Sequence, residues 1–193
     1  MTRPVAAALV LIPALFAQAQ RYRIHPSESN RLELRVAKTG LYRGKVHVFT
    51  FPNYSGFLVY EPQKPEASQV SLTISARDIQ LLDTWLSAKD FKSVEEYALK
   101  DMLAAEKYPD ITFSSTAVRA TDSAHFEVRG TLTIRGIAKP AVLNVGLSEK
   151  RFQGEATVRL TDYGLKPPKA ALGLVGTEDE MKFSFRLIAA QGE

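Results

Sequence analysis

Phe126-Glu127-Val128-Arg129-Gly130-Thr131-Leu132-Thr133-Ile134 puts apolar side chains on one parity and polar ones on the other. Such alternation marks a strand with one buried face. The same period runs outward in both directions. Leu32, Leu34 and Val36 alternate with Glu33 and Arg35, and Val70, Leu72 and Ile74 with serines and threonines. Phe152, Ala156, Val158 and Leu160 form a further face, and Met181, Phe183, Phe185 and Leu187 another. A slip of one residue would turn any of these faces to water, so register is specified by burial. Further strands are expected over Arg43–Phe51, Ser55–Glu61, Asp110–Val118 and Pro140–Ser148, with Pro140 opening its strand.

One segment departs from this period. Ser87-Ala88-Lys89-Asp90 resembles a capping box, and Phe91, Val94, Ala98 and Met102 then recur at helical spacing. Pro109 stops the helix by Tyr108. The expectation is one helix near residues 88–105, inserted among about eight strands. This is the pattern of an all-β sandwich or barrel, between which periodicity does not choose.

The 193 residues suit a single domain, and 45% hydrophobic with 24% charged residues is ordinary for a globular chain. At the start, Arg3 precedes an uncharged apolar run from Val5 to Phe16, followed by Ala17-Gln18-Ala19. This reads as a signal peptide over 1–19, with the barrel domain over 20–193. The run is too short to span a bilayer, which needs about 20 residues. A periplasmic or secreted location is therefore expected. The chain has no cysteine, so it has no disulfides, thiolate metal ligands or cysteine nucleophile. Its net charge of +4 is modest, and no basic cluster interleaved with aromatics points to nucleic acid.

Catalytic signals are lacking. There is no G-x-S-x-G elbow and no glycine-rich phosphate cradle. His25, His47 and His125 are far apart, and Asp78, Asp83, Asp110 and Asp162 form no recognisable acid–base pair. The expectation is a protein that is not an enzyme and takes no cofactor or metal.

Three blocks carry a family resemblance. Tyr108-Pro109-Asp110-Ile111-Thr112-Phe113-Ser114-Ser115-Thr116 resembles the Y-P-x-I-x-F-x-S-T block of YceI-like proteins. Gly130-Thr131-Leu132-Thr133-Ile134-Arg135-Gly136-Ile137-Ala138-Lys139-Pro140 is similar to their G-x-L-T-I-R-G-x-x-K-P hairpin, and Asp162-Tyr163-Gly164-Leu165 to their D-F-G-I element. The chain departs from the pattern between Asp78 and Tyr108, where an R-D-x-H-L stretch is replaced by Asp83-Thr84-Trp85 and the helix. The resemblance implies a single antiparallel up-and-down, extended lipocalin-like β-barrel. It further implies an exported binding protein that holds a long apolar lipid, of polyisoprenoid or isoprenoid-quinone type, and carries or stores it. The alternative is a filled barrel acting through its surface as an interaction or stress-accessory module.

The candidate lining of the barrel is Leu34, Val36, Val46, Leu58, Tyr60, Leu72, Ile74, Ile111, Phe113, Phe126, Val128, Leu132, Val158, Leu160, Phe183 and Phe185. Trp85 with the helix, and the long Tyr163–Asp179 loop with Leu172 at its apolar tip, are candidates for covering the mouth. Lys166 and Lys169 are candidates to meet a polar head at the rim. Transient contact with a membrane surface would accompany lipid exchange.

Overall fold

The computed structural model describes residues 20–149, 151–188 and 190–191; the expected signal peptide lies outside them. The alternating segments form the expected strands. In chain order they are β1 (Gln20–Ile24), β2 (Arg31–Gly40), β3 (Val46–Thr50), β4 (Tyr54–Tyr60), β5 (Gln69–Ser75) and β6 (Gln80–Leu81). After helix α1 (Ala88–Tyr97) come β7 (Asp110–Ala120), β8 (His125–Ile134), β9 (Ile137–Ser148) and β10 (Arg151–Arg159). The last are β11 (Lys169–Ala170), β12 (Val175–Ile188) and β13 (Ala190–Gln191). The thirteen strands among the described residues exceed the expected count of about eight: nine are the alternating segments, and β1 and three two-residue strands, β6, β11 and β13, join them. Segments that short leave no periodic signal.

All pairings are antiparallel, in the order β13-β1-β4-β5-β7-β8-β9-β10-β12-β2-β3-β6, with β11 on β12. The sheet curls into a half-barrel with the apolar parity inside. Leu32 is fully buried, and Val36, Ile74, Ile111, Val158 and Met181 are buried with it.

The hairpin between β8 and β9 explains its own sequence. Ile134 pairs with Ile137, leaving Arg135 and Gly136 as a two-residue turn with φ of 53° and 73°. Positive φ at both positions is the mark of the I′ turn that matches strand twist. Gly130 permits a close approach, since a Cβ there would lie 2.5 Å from both the Phe113 ring and the Ser114 carbonyl oxygen. Pro140 does not open β9 as expected but stands inside it, opposite Thr131. It is tolerated because the pairing of β10 with β9 stops at Leu143, which leaves β8 as the only ladder neighbour at that point.

The helix forms where expected. Ser87 Oγ accepts from the Asp90 backbone N–H at 3.2 Å, and Ala98–Met102 continues α1 as a π-helical turn. Arg135 in the hairpin turn donates to the carbonyls of Asp101 (2.7 Å) and Met102 (3.0 Å), tying the end of this helix to the barrel rim. These are the carbonyls that a helix terminus leaves unsatisfied.

Candidate functional site

The half-barrel encloses a cavity of about 540 Å³, within the range of roughly 300–1,000 Å³ typical of small-ligand sites. Leu34, Val36, Leu58, Tyr60, Leu72, Ile74, Ile111, Phe113, Phe126, Val128, Leu132, Val158, Leu160, Tyr163, Phe183 and Phe185 all line it, as the alternation predicts. Each lies on the inward parity of its strand, apart from Tyr163 and Leu160, which sit where the chain leaves β10. At one end Tyr60 meets Phe126 and Phe152 edge-on, with ring centroids 6.1 and 5.9 Å away. At the other, Val94, Tyr97, Ala98, Met102 and Leu103 of the helical segment face the cavity. The helical segment therefore forms the wall at this end of the cavity.

Three expected residues lie elsewhere. Val46 is outside the lining because its strand has the opposite phase: His47 and Phe49 point inward. Trp85 is not in the lining either. Its ring stacks on His47 (centroids 5.3 Å, planes 20° apart), and its indole N–H donates to the Val46 carbonyl at 3.3 Å. Leu172 stands entirely in solvent, at 106% exposure, in a left-handed backbone conformation (φ 55°). Of the two loop lysines, Lys169 borders the cavity and Lys166 is exposed outside it.

The structure also contains a polar group that periodicity does not reveal. His47 and Asp83 are buried, at 5% and 9% exposure, with Nδ1 2.5 Å from the Asp83 Oδ2. Asp83 Oδ1 accepts from the Val48 N–H at 2.9 Å. Asp83 is thus paired with a histidine, although the sequence shows no recognisable acid–base pair. The two are 36 residues apart, and only the pairing of β6 on β3 brings them together. Burial pushes the His47 imidazole below its ordinary value, against the opposing pull of the Asp83 hydrogen bond, while nearby Lys38 adds to the lowering. Lys38, which also lines the cavity, is lowered by burial and partly restored by Asp83. Tyr163 is pushed up to about 12, first by burial and then by the Asp162 charge. His25 and His125 are exposed, and among the described residues no group of three or more histidines and acids is placed to hold a metal ion.

Together these features define a class: a curled antiparallel sheet around one large apolar cavity, with a helix across its mouth. A family model for the YceI-like domain matches residues 22–189, and the chain belongs to that family. A UPF0312 protein of Pseudomonas savastanoi pv. phaseolicola (strain 1448A / Race 6) is 30% identical over 129 residues, covering 62% of this chain and 64% of the relative. A UPF0312 protein of Pseudomonas putida (strain W619) is 30% identical over 131 residues, 63% of this chain and 65% of its own length. The chain therefore spans a little under two thirds of these relatives. Among solved structures, Burkholderia cenocepacia BcnA has the same fold, with a TM-score of 0.68 at 20% identity over 83% of this chain and 96% of that one. A polyisoprenoid binding domain from Saccharophagus degradans, implicated in plant cell wall breakdown, gives 0.56 at 14% identity over 91% and 100%.

Proposed function

We propose that this protein is an exported carrier that holds a long apolar lipid of isoprenoid type in its half-barrel and exchanges it with membranes. The observation that carries this reading is the 540 Å³ cavity with its nearly continuous apolar wall. The polyisoprenoid binding named for the Saccharophagus neighbour supports the ligand class. The apolar run over Val5–Phe16 supports export to the periplasm or beyond.

Energetics favour exchange over permanent capture. Each methylene taken from water gains about 0.8 kcal/mol, but a bilayer offers the same gain. Transfer between membrane and barrel is then close to balanced, as a carrier or store requires. No catalytic step is assigned to this site.

The surface beside the mouth suits an anionic bilayer. Leu41, Tyr42, Leu172 and Leu174 are exposed, and the Leu41 N–H donates to the Leu174 carbonyl at 2.9 Å, joining the two loops. Arg43, Lys45 and Lys169 flank these apolar tips. Apolar tips with a basic border are the ingredients of interfacial binding.

Native mass spectrometry of the protein isolated from its own cells, followed by lipid extraction, tests the reading. The expected result is a stoichiometric long-chain adduct. A bare mass that persists after incubation with isoprenoid-containing vesicles would replace the carrier with a surface interaction module.

A further inference from the structure

The cavity wall is mostly apolar, and Lys38, His47 and Thr177 are its polar side chains on the neighbouring strands β2, β3 and β12. Val36 and Lys38 are two apart on β2 and so share its inward face. His47 pairs with Val36 across β3, and Thr177 pairs with Lys38 across β12. Directly paired and diagonal neighbours on one face of a sheet lie within about 8 Å. All of these side chains line the cavity, so Lys38 has His47 on one side and Thr177 on the other, each within that reach.

Their hydrogen-bonding states are complementary. Asp83 uses both carboxylate oxygens, one on the His47 Nδ1–H and one on the Val48 N–H. This fixes the imidazole with its proton on Nδ1 and leaves Nε2 as an acceptor without a protein partner among the described residues. Trp85, stacked on the ring, holds its plane. The Thr177 hydroxyl is buried and unpartnered, and Lys38 makes no salt bridge among the described residues. An unmet polar group in an apolar wall is costly, so the unpartnered Thr177 hydroxyl, the half-buried Lys38 ammonium and the free Nε2 would all be served by a polar ligand atom.

We propose that Lys38, Thr177 and the His47–Asp83 pair form a subsite for the hydroxyl end of a long-chain alcohol. A hydroxyl donates to His47 Nε2 and accepts from the Lys38 ammonium or the Thr177 hydroxyl, satisfying both kinds of group at once. A hydrocarbon end leaves them all unmet. A fully ionised phosphate end has no proton for Nε2. The inference rests on the carrier reading and adds that the carrier distinguishes the ends of its ligands.

The test is competitive binding of three probes to the purified full chain: a long-chain prenol, the hydrocarbon of the same chain without the hydroxyl, and the prenol's phosphate monoester. The expected result is prenol binding at least about tenfold tighter than the hydrocarbon, the value of one good hydrogen bond. That ratio should fall toward one in Lys38→Met, Thr177→Val and His47→Gln, and stay at its original value in Lys64→Met on the exposed surface. Thr177→Val removes a single hydroxyl at constant volume, so it remains informative if His47→Gln does not fold. Equal binding of prenol and hydrocarbon overturns the subsite while leaving the carrier intact. Tighter binding of the phosphate than of the prenol, lost in Lys38→Met, overturns it in favour of an anion site. Failure of all three probes to bind overturns the carrier reading and the subsite with it.

Discussion

At the scale of single residues, His47 couples folding to pH. Its native value lies below the ordinary 6.5 because burial disfavours the charged ring. Between those two values the unfolded chain holds a proton that the folded chain does not. Stability therefore falls as pH drops through about 6.5 and levels off below the native value. Denaturant unfolding at pH 7.5 and at pH 5.5 should show this loss in the wild type, and the loss should shrink in His47→Gln. An unchanged difference would place the coupling elsewhere. The residue also marks a limit of sequence reading. Leu34, Phe113 or Phe183 is legible because each strand offers one clear apolar parity. In Val46-His47-Val48-Phe49 both parities carry apolar residues, and the polar-looking one is the inner one. The heavier side chains Phe49 and Phe51 on the histidine's parity were the signal that could have identified it. Its partner Asp83 lies in a segment with no period at all.

At the scale of elements, the helical cover is held less by its own burial than by tethers. None of the residues of α1 is buried. Its grip comes from Arg135 on the carbonyls of Asp101 and Met102, from Arg77 on those of Ala105 and Glu106, and from Glu95 accepting the Leu81 N–H. Arg135→Ala should therefore loosen the cover with little effect on the barrel. Hydrogen exchange in 88–103 should speed up, and lipid transfer between vesicles should speed with it, while the amides of β7 and β8 keep their protection. Faster exchange across all of these elements would mean that Arg135 supports the whole fold. The helix itself was readable from its cap and its spacing. The tether was not, since Arg135 belongs to a turn 34 residues away from Asp101.

At the scale of the whole molecule, the mouth and the exposed apolar tips lie on the same side. The C-terminal end of β2, the N-terminal end of β12 and the 160–175 loop meet there, with Leu174 bonded to Leu41. Leu172→Asp combined with Leu174→Asp should weaken association with anionic vesicles several-fold and slow lipid transfer. It should leave the melting temperature nearly unchanged, because both side chains are exposed. Vesicle co-sedimentation and a transfer assay check this, and unaltered co-sedimentation would move the docking face elsewhere. Sequence reading placed an apolar tip on this loop but assigned it to covering the cavity. A left-handed Leu172 turns it outward instead, and no residue pattern announces a positive φ at a leucine.

The strand order has two ends, at β6 and at β13, and no pairing joins them among the described residues. A hoop of strands can widen only by giving up hydrogen bonds. A split ring widens by bending, with every bond kept. The girth of this container is therefore set by side-chain packing across the gap, where Ile24 of β1 belongs to the same buried cluster as Phe49 of β3 and Leu81 of β6. Under the carrier reading, occupants of different thickness would be admitted at the modest cost of adjusting those contacts.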